Sequence, residues 1–142
     1  MPFLIDGSNV LGAMRADRHS DQAKRHLVQL LASFARARRT RVTCFFDGSA
    51  PAQFATHLGA VSVVFSGART ADELIVERSR NGRGWSVVTG DAALAARVKS
   101  RHVEIVAPPQ LIASLEQLGA EREVGEEDWM SWFSDPKNKL DF

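Results

Sequence analysis

Phe3-Leu4-Ile5-Asp6-Gly7-Ser8-Asn9 is the stretch from which the rest of the chain is read. A brief apolar run closed by a turn signal describes a fully buried strand, with a buried helix segment as the other reading. As a strand, it delivers Asp6 to the edge of a sheet. Three later stretches repeat the design. Residues 42–46 run into Asp47-Gly48-Ser49, and residues 85–88 run into Thr89-Gly90-Asp91. Residues 61–65 lead through Gly67-Ala68-Arg69 into a helix start that carries Asp72. In an open α/β sheet, ligands bind outside the carboxyl ends of the strands. Four strands therefore bring Asp6, Asp47, Asp72 and Asp91 towards one place.

Between these strands lie helix patterns. Ser20 or Asp21 caps a helix whose Leu27, Leu30, Leu31 and Phe34 recur at helical spacing. Thr70 with Glu73 three residues later forms a capping box that opens the helix of Asp72. Asn81-Gly82-Arg83-Gly84 stops that helix. Asp91 opens another helix, with Leu94, Ala95 and Val98 turned inward. A fifth strand over 102–106 ends at Pro108-Pro109, which start the helix of Leu111, Ile112, Leu115 and Leu118, with Gly119 as its stop. Residues 10–19 read as a loop and 49–58 as a loop or short helix. Strand alternating with helix argues for a parallel sheet with right-handed crossovers and helices on both faces.

A chain of 142 residues is expected to form one domain with a sufficient core. Its single cysteine, Cys44, sits in an apolar run and reads as a small buried hydrophobe, so no disulfide holds the fold. No apolar stretch is long enough for a membrane span, and no secretory signal leads the chain, so a cytoplasmic location is expected. The net charge of +1 hides an asymmetry. Residues 120–142 carry seven acids against three bases, a net of −4, and residues 1–119 carry ten against fifteen, a net of +5. The boundary expected from this shift separates a domain over 1–119 from an acidic tail bearing Trp129, Trp132 and Phe133. Those aromatics either dock on the domain itself or bind a partner or a second copy.

Each aspartate has an ordinary explanation: turn dipeptides at 6–7 and 47–48, a favourable dipole for Asp72, an N-cap for Asp91. Their shared position at strand ends points further. Four carboxylates left unpaired repel one another, and a hard cation such as Mg²⁺ or Mn²⁺ relieves this. His19, His26, His57 and His102 show no ligand spacing. A carboxylate-held metal within a basic body suggests hydrolysis of a phosphodiester by metal-activated water. Ser8, Asn9, Arg69 and Thr89 are the candidates for orienting a carboxylate or contacting substrate phosphate. Arg36, Arg38, Arg39 and Arg41 end the first long helix, where positive charge suits the dipole and also suits phosphate.

These residues resemble the NYN domain group of PIN-like ribonucleases, in particular its YacP-like branch. The likeness rests on Leu4-Ile5-Asp6-Gly7-Ser8-Asn9, Phe45-Phe46-Asp47, Thr70-Ala71-Asp72-Glu73-Leu74-Ile75 and Val88-Thr89-Gly90-Asp91, in order over about residues 2–118. It implies a three-layer α/β/α sandwich with a mostly parallel central sheet and metal-dependent cleavage of RNA. It also implies metal ligation by Asp6, Asp47, Asp72 and Asp91, with Asn9 at the rim. RNA, and the ribosome or other RNA-bound complexes, are the partners expected from it, with a homodimer open. Two features depart from the branch: Val76 stands where an acid is frequent, with Glu77 next, and the C-terminal extension is shorter. A non-catalytic RNA-binding or adaptor domain is the competing expectation. A phosphatase of the haloacid dehalogenase type is disfavoured by Ser8, which stands where that chemistry wants a second acid.

Overall fold

The computed structural model describes residues 2–82, 84–99 and 102–121, and for 120–121 the backbone alone. The tail beyond residue 121, with its Trp residues, lies outside the described residues. The opening run is a strand, β1 (Phe3–Asp6), and its side chains alternate between two cores. Leu4 faces one core and Ile5 the other, both fully buried. Burial on both faces is what an uninterrupted apolar strand of a parallel sheet requires.

The strand does not lead into a loop. Residues Gly7–Ala13 form a helix, α1, capped by the Asp6 side chain, which accepts from Asn9 N–H. The expectation of a loop over 10–19 is thus corrected at its start, where Val10 and Leu11 are buried. Helix α2 (Asp21–Arg38) is capped by Ser20 and buries Leu27, Leu31 and Phe34. Strand β2 (Val42–Phe46) follows. Residues 49–56 contain no helix, and His57–Leu58 form a two-residue strand, β3, paired antiparallel to β4 (Val61–Phe65). Helix α3 (Ala71–Ser79) starts at the Thr70 cap, where Thr70 Oγ accepts from Glu73 N–H and donates to Glu73 Oε1. Strand β5 (Trp85–Val88), helix α4 (Ala92–Val98), strand β6 (Val103–Val106) and helix α5 (Pro108–Glu121) complete the order. Helix α5 runs through Gly119 rather than stopping there.

The six strands are ordered β3-β4-β2-β1-β5-β6, parallel except for β3. Helices α1, α2 and α5 cover one face over Ile5, Cys44, Phe46, Val63 and Val88. Helices α3 and α4 cover the other over Leu4, Phe45 and Val87, joined by Ile75, Val76 and Leu94. This is the expected three-layer sandwich. Cys44 is fully buried and its thiol is pushed up by that burial, so it behaves as a hydrophobe. The chain builds outward from β1 through β2 to β4, then returns to the other side of β1 as β5. That reversal is a topological switch point, the place where open α/β sheets bind ligands beyond the carboxyl ends of their strands.

Candidate active site

Four helices or loops leave the carboxyl edge of the sheet, and each carries one of the aspartates. Asp6 ends β1 beside the switch point and is only 5% exposed. One of its oxygens accepts from Asn9 N–H at 3.3 Å, and the other accepts from the Thr89 hydroxyl at 3.3 Å. The hydroxyl in turn accepts from Asp91 N–H at 3.0 Å. Thr89 therefore joins the end of β1 to the end of β5 through a buried oxygen. A second link lies beside it, where Gly90 N–H donates to Asn9 Oδ1 at 2.7 Å. A Cβ on Gly90 would stand 2.8 Å from that oxygen, so the glycine lets the loop approach α1 closely.

Gly7 has a similar purpose. A Cβ there would lie 2.5 Å from Phe46 Cε1 and 2.9 Å from the Phe45 carbonyl oxygen. Only a bare backbone lets α1 start this close to β2, and this closeness sets where Asp6 and Asn9 stand.

Asp47 is exposed at the end of β2, and its Oδ1 accepts from Ala71 N–H at 2.8 Å. It thereby fixes the N-terminus of α3, whose first turn bears Asp72. Beneath it, Ser66 Oγ accepts from Gly48 N–H at 3.1 Å, and Gly67 N–H donates to the Gly48 carbonyl at 2.8 Å. Asp91 caps α4, accepting from Ala93 and Leu94 N–H.

The electrostatics show which carboxylates feel one another's charge. Burial pushes the Asp6 carboxyl up to about 6, and the charges of Asp72 and Asp47 add to the effect. The Asn9 and Thr89 hydrogen bonds pull against it. Asp72 is also raised, first by burial and then by the charges of Asp91 and Asp47, with Arg97 opposing. The neighbouring Asp91 thus disfavours the charged form of Asp72. Asp72 thus couples to all three other aspartates. Among the described residues, however, no three Asp, Glu, His or Cys side chains stand close enough to form a ready cation cage.

The other candidates fall in different places. Ser8 is half-buried in the first turn of α1. Asn9 and Thr89 spend their side-chain oxygens holding backbone and Asp6, so their geometry is that of positioning groups. Arg69 is exposed and paired with Glu77 at 2.8 Å and Glu73 at 3.4 Å. Val76 is buried in the core. No sequence signal marked Arg97, whose charge reaches Asp72 from α4.

The fold and its acidic carboxyl edge define a PIN-like α/β/α domain. Residues 3–137 match the model of the YacP-like NYN domain, and the chain belongs to that family. The crystal structure of Rae1 (YacP) from Bacillus subtilis is similar to it, with a TM-score of 0.70 at 21% identity over 99% of this chain and 86% of that one. A Trp-to-Leu mutant of Rae1 gives 0.69 at 22% identity over 84% and 77%. At such identities the likeness is one of fold. No curated protein matches the chain significantly. Among the described residues, no helix is long and apolar enough to cross a membrane.

Proposed function

We propose that the chain is a metal-dependent endoribonuclease, with Asp6, Asp47, Asp72 and Asp91 as its catalytic, metal-holding carboxylates. One observation carries the reading: Asp72 is coupled to three other aspartates at the switch point, and Asp6 is held up to about 6 in a buried position. Unrelieved repulsion of this kind is a cost that a stable scaffold sheds unless a ligand offsets it. The donors are oxygens alone, which suits Mg²⁺ or Mn²⁺ over softer ions. When bound, such an ion supplies the positive charge that offsets the carboxylates and stabilises charge building on a phosphodiester.

The chain's own residues supply the rest. Thr89 and Asn9 N–H hold the two Asp6 oxygens. Asp47 and the Asp91 cap fix the helix ends that present Asp72 and Asp91. Carboxylates hold a cation in their charged form, so a cation would favour the charged form of Asp72 that burial and Asp91 disfavour. The net charge of +5 on residues 1–119 favours a polyanion such as RNA. The cytoplasm, and contact with the ribosome or other RNA-bound complexes, belong to the same proposal.

The test measures cleavage of single-stranded and structured RNA with Mn²⁺, with chelator, and with Asp6→Asn or Asp91→Asn. Cleavage that ignores the chelator and both substitutions overturns the reading. A second reading, an RNA-binding domain without catalysis, is favoured by the lack of a ready cation cage among the described residues. Tight RNA binding with no cleavage in any divalent metal would decide for it.

A further inference from the structure

The amino edge of the sheet, opposite the aspartates, carries an arginine groove. Helix α2 descends to that edge, and its last turn and C-cap hold Arg36 and Arg39. Arg41 comes just before β2. A cleft of about 430 Å³ is lined there by Arg36, Arg39, Arg41, Pro2, Ala35 and Ala60, with Thr40 beside them. No carboxylate lines it. Among the described residues, none of the three arginines has an ion-pair partner, whereas Arg69 on the far edge has two. Arg38 between them is already engaged: it stacks on the Phe34 ring at 5.1 Å and donates to Ser114 Oγ at 3.3 Å.

Arg39 adds an independent observation. Its backbone is left-handed, φ 53° and ψ 49°, at the helix end where glycine is the usual residue. A side chain in that conformation is strained, and strain of this kind points to a use for the side chain. The use on offer here is charge. A helix C-terminus gains from one or two nearby cations, but the dipole accounts for neither a strained arginine nor a third one beyond the helix.

We infer that this groove is a second phosphate-contact surface, on which an RNA already engaged at the aspartates docks its backbone. The floor of Pro2, Ala35 and Ala60 has no aromatic ring for a base to stack on, so the contacts are to phosphates and carry no sequence preference. Strands of four or five residues put the two edges about 15 Å apart. A folded or extended RNA reaches both, and a dinucleotide reaches only one. This inference rests on RNA as the substrate.

The experiment uses the full chain in EDTA and follows binding of a labelled 20-nucleotide RNA by anisotropy across a salt series. Variants are the triple Arg36→Gln, Arg39→Gly, Arg41→Gln and the single Arg39→Gly. The triple is expected to bind at least tenfold more weakly at low salt. Its plot of log affinity against log salt should be shallower by about 2, from three lost contacts at about 0.7 each. Arg39→Gly should weaken binding without lowering the melting temperature, and it decides the matter if the triple does not fold. Lys at all three positions should restore most of the affinity. With Mn²⁺, dinucleotide cleavage should be the same in wild type and triple. Unchanged affinity and slope overturn the groove alone. A wild type that binds no RNA at any salt overturns both this inference and the ribonuclease reading.

Discussion

Replacing Asp6 by Asn should make the metal-free protein more stable, although it removes a central carboxylate. The reasoning follows from the environment of the side chain. Asp6 is buried, faces the charges of Asp72 and Asp47, and titrates at about 6 rather than 3.8. A rise of that size means that the charged form is disfavoured in the folded state by about 3 kcal/mol. The folded chain holds the proton more tightly than the unfolded chain does. Asp6 therefore contributes stability that is complete below about pH 3.8 and is lost as the pH rises to about 6; above that, the full penalty remains. Asn carries no charge and keeps an oxygen for Asn9 N–H. Its amide must share the Thr89 hydroxyl with Asp91 N–H, which costs about 1 kcal/mol of hydrogen bonding. The net expectation is a gain of about 2 kcal/mol at pH 7.5, or about 6 °C in melting temperature for a chain of this size. The assay is urea unfolding in EDTA at pH 7.5 and at pH 4. The gain should be present at pH 7.5 and largely gone at pH 4. Added Mn²⁺ should raise the wild type and leave the variant nearly unmoved. A variant less stable than wild type at pH 7.5 would refute the account of Asp6 as an unrelieved buried charge.

Thr89→Val removes the hydroxyl that serves both Asp6 and Asp91 N–H, and should cost about 2 kcal/mol in urea unfolding; Thr89→Ser should recover most of it. Gly7→Ala drives a Cβ into the Phe46 ring and the Phe45 carbonyl, and should cost about 2–3 kcal/mol in the same measurement. Asp47→Asn keeps an acceptor for Ala71 N–H, so its stability should stay within about 0.5 kcal/mol of wild type while RNA cleavage falls; Asp47→Ala should lose about 1 kcal/mol as well.

The sequence revealed the sheet because its strands are buried on both faces and read as bare apolar runs. It revealed α2, α3 and α4 because each opens on a side-chain cap that the structure keeps, at Ser20, Thr70 and Asp91. Helix α1 was hidden. Asp6-Gly7 has the form of a turn, and glycine is a poor helix former. What makes this segment helical is tertiary: Val10 and Leu11 need the core, and α1 must pass Phe46 where only Gly7 fits. Strand β3 was hidden for a related reason. His57 and Leu58 are exposed and show no alternation, and they become a strand only by folding back on Ser62 and Val61 around Gly59, at φ 59°. In the site, the strand-end positions of the aspartates were legible. The links between them were not, since the partners Asp6 and Thr89 lie 83 residues apart and Asn9 and Gly90 lie 81 apart.

The capping role of the aspartates and the metal-holding role proposed for them are compatible. Asp6 caps α1, Asp91 caps α4, and Asp47 caps α3 from a neighbouring strand. Three helix N-termini, each with partial positive charge, therefore lie at the carboxyl edge of the sheet. Those amides offset part of the repulsion among four carboxylates, and each fixes a carboxylate oxygen in place. Asp72 is the exception, since it lies in the first turn of α3 without capping it. It is also the member that couples to all the others. A set of three tethered carboxylates and one untethered is suited to closing on a cation. The tethers keep the site together when it is empty, and the free member has the least to give up when an ion arrives. On this argument Asp72→Asn should impair Mn²⁺ binding as severely as Asp6→Asn while changing metal-free stability less. Calorimetric titration of the two variants, set beside their unfolding curves in EDTA, separates these effects. Equal stability gains in both would show that tethering does not distinguish them.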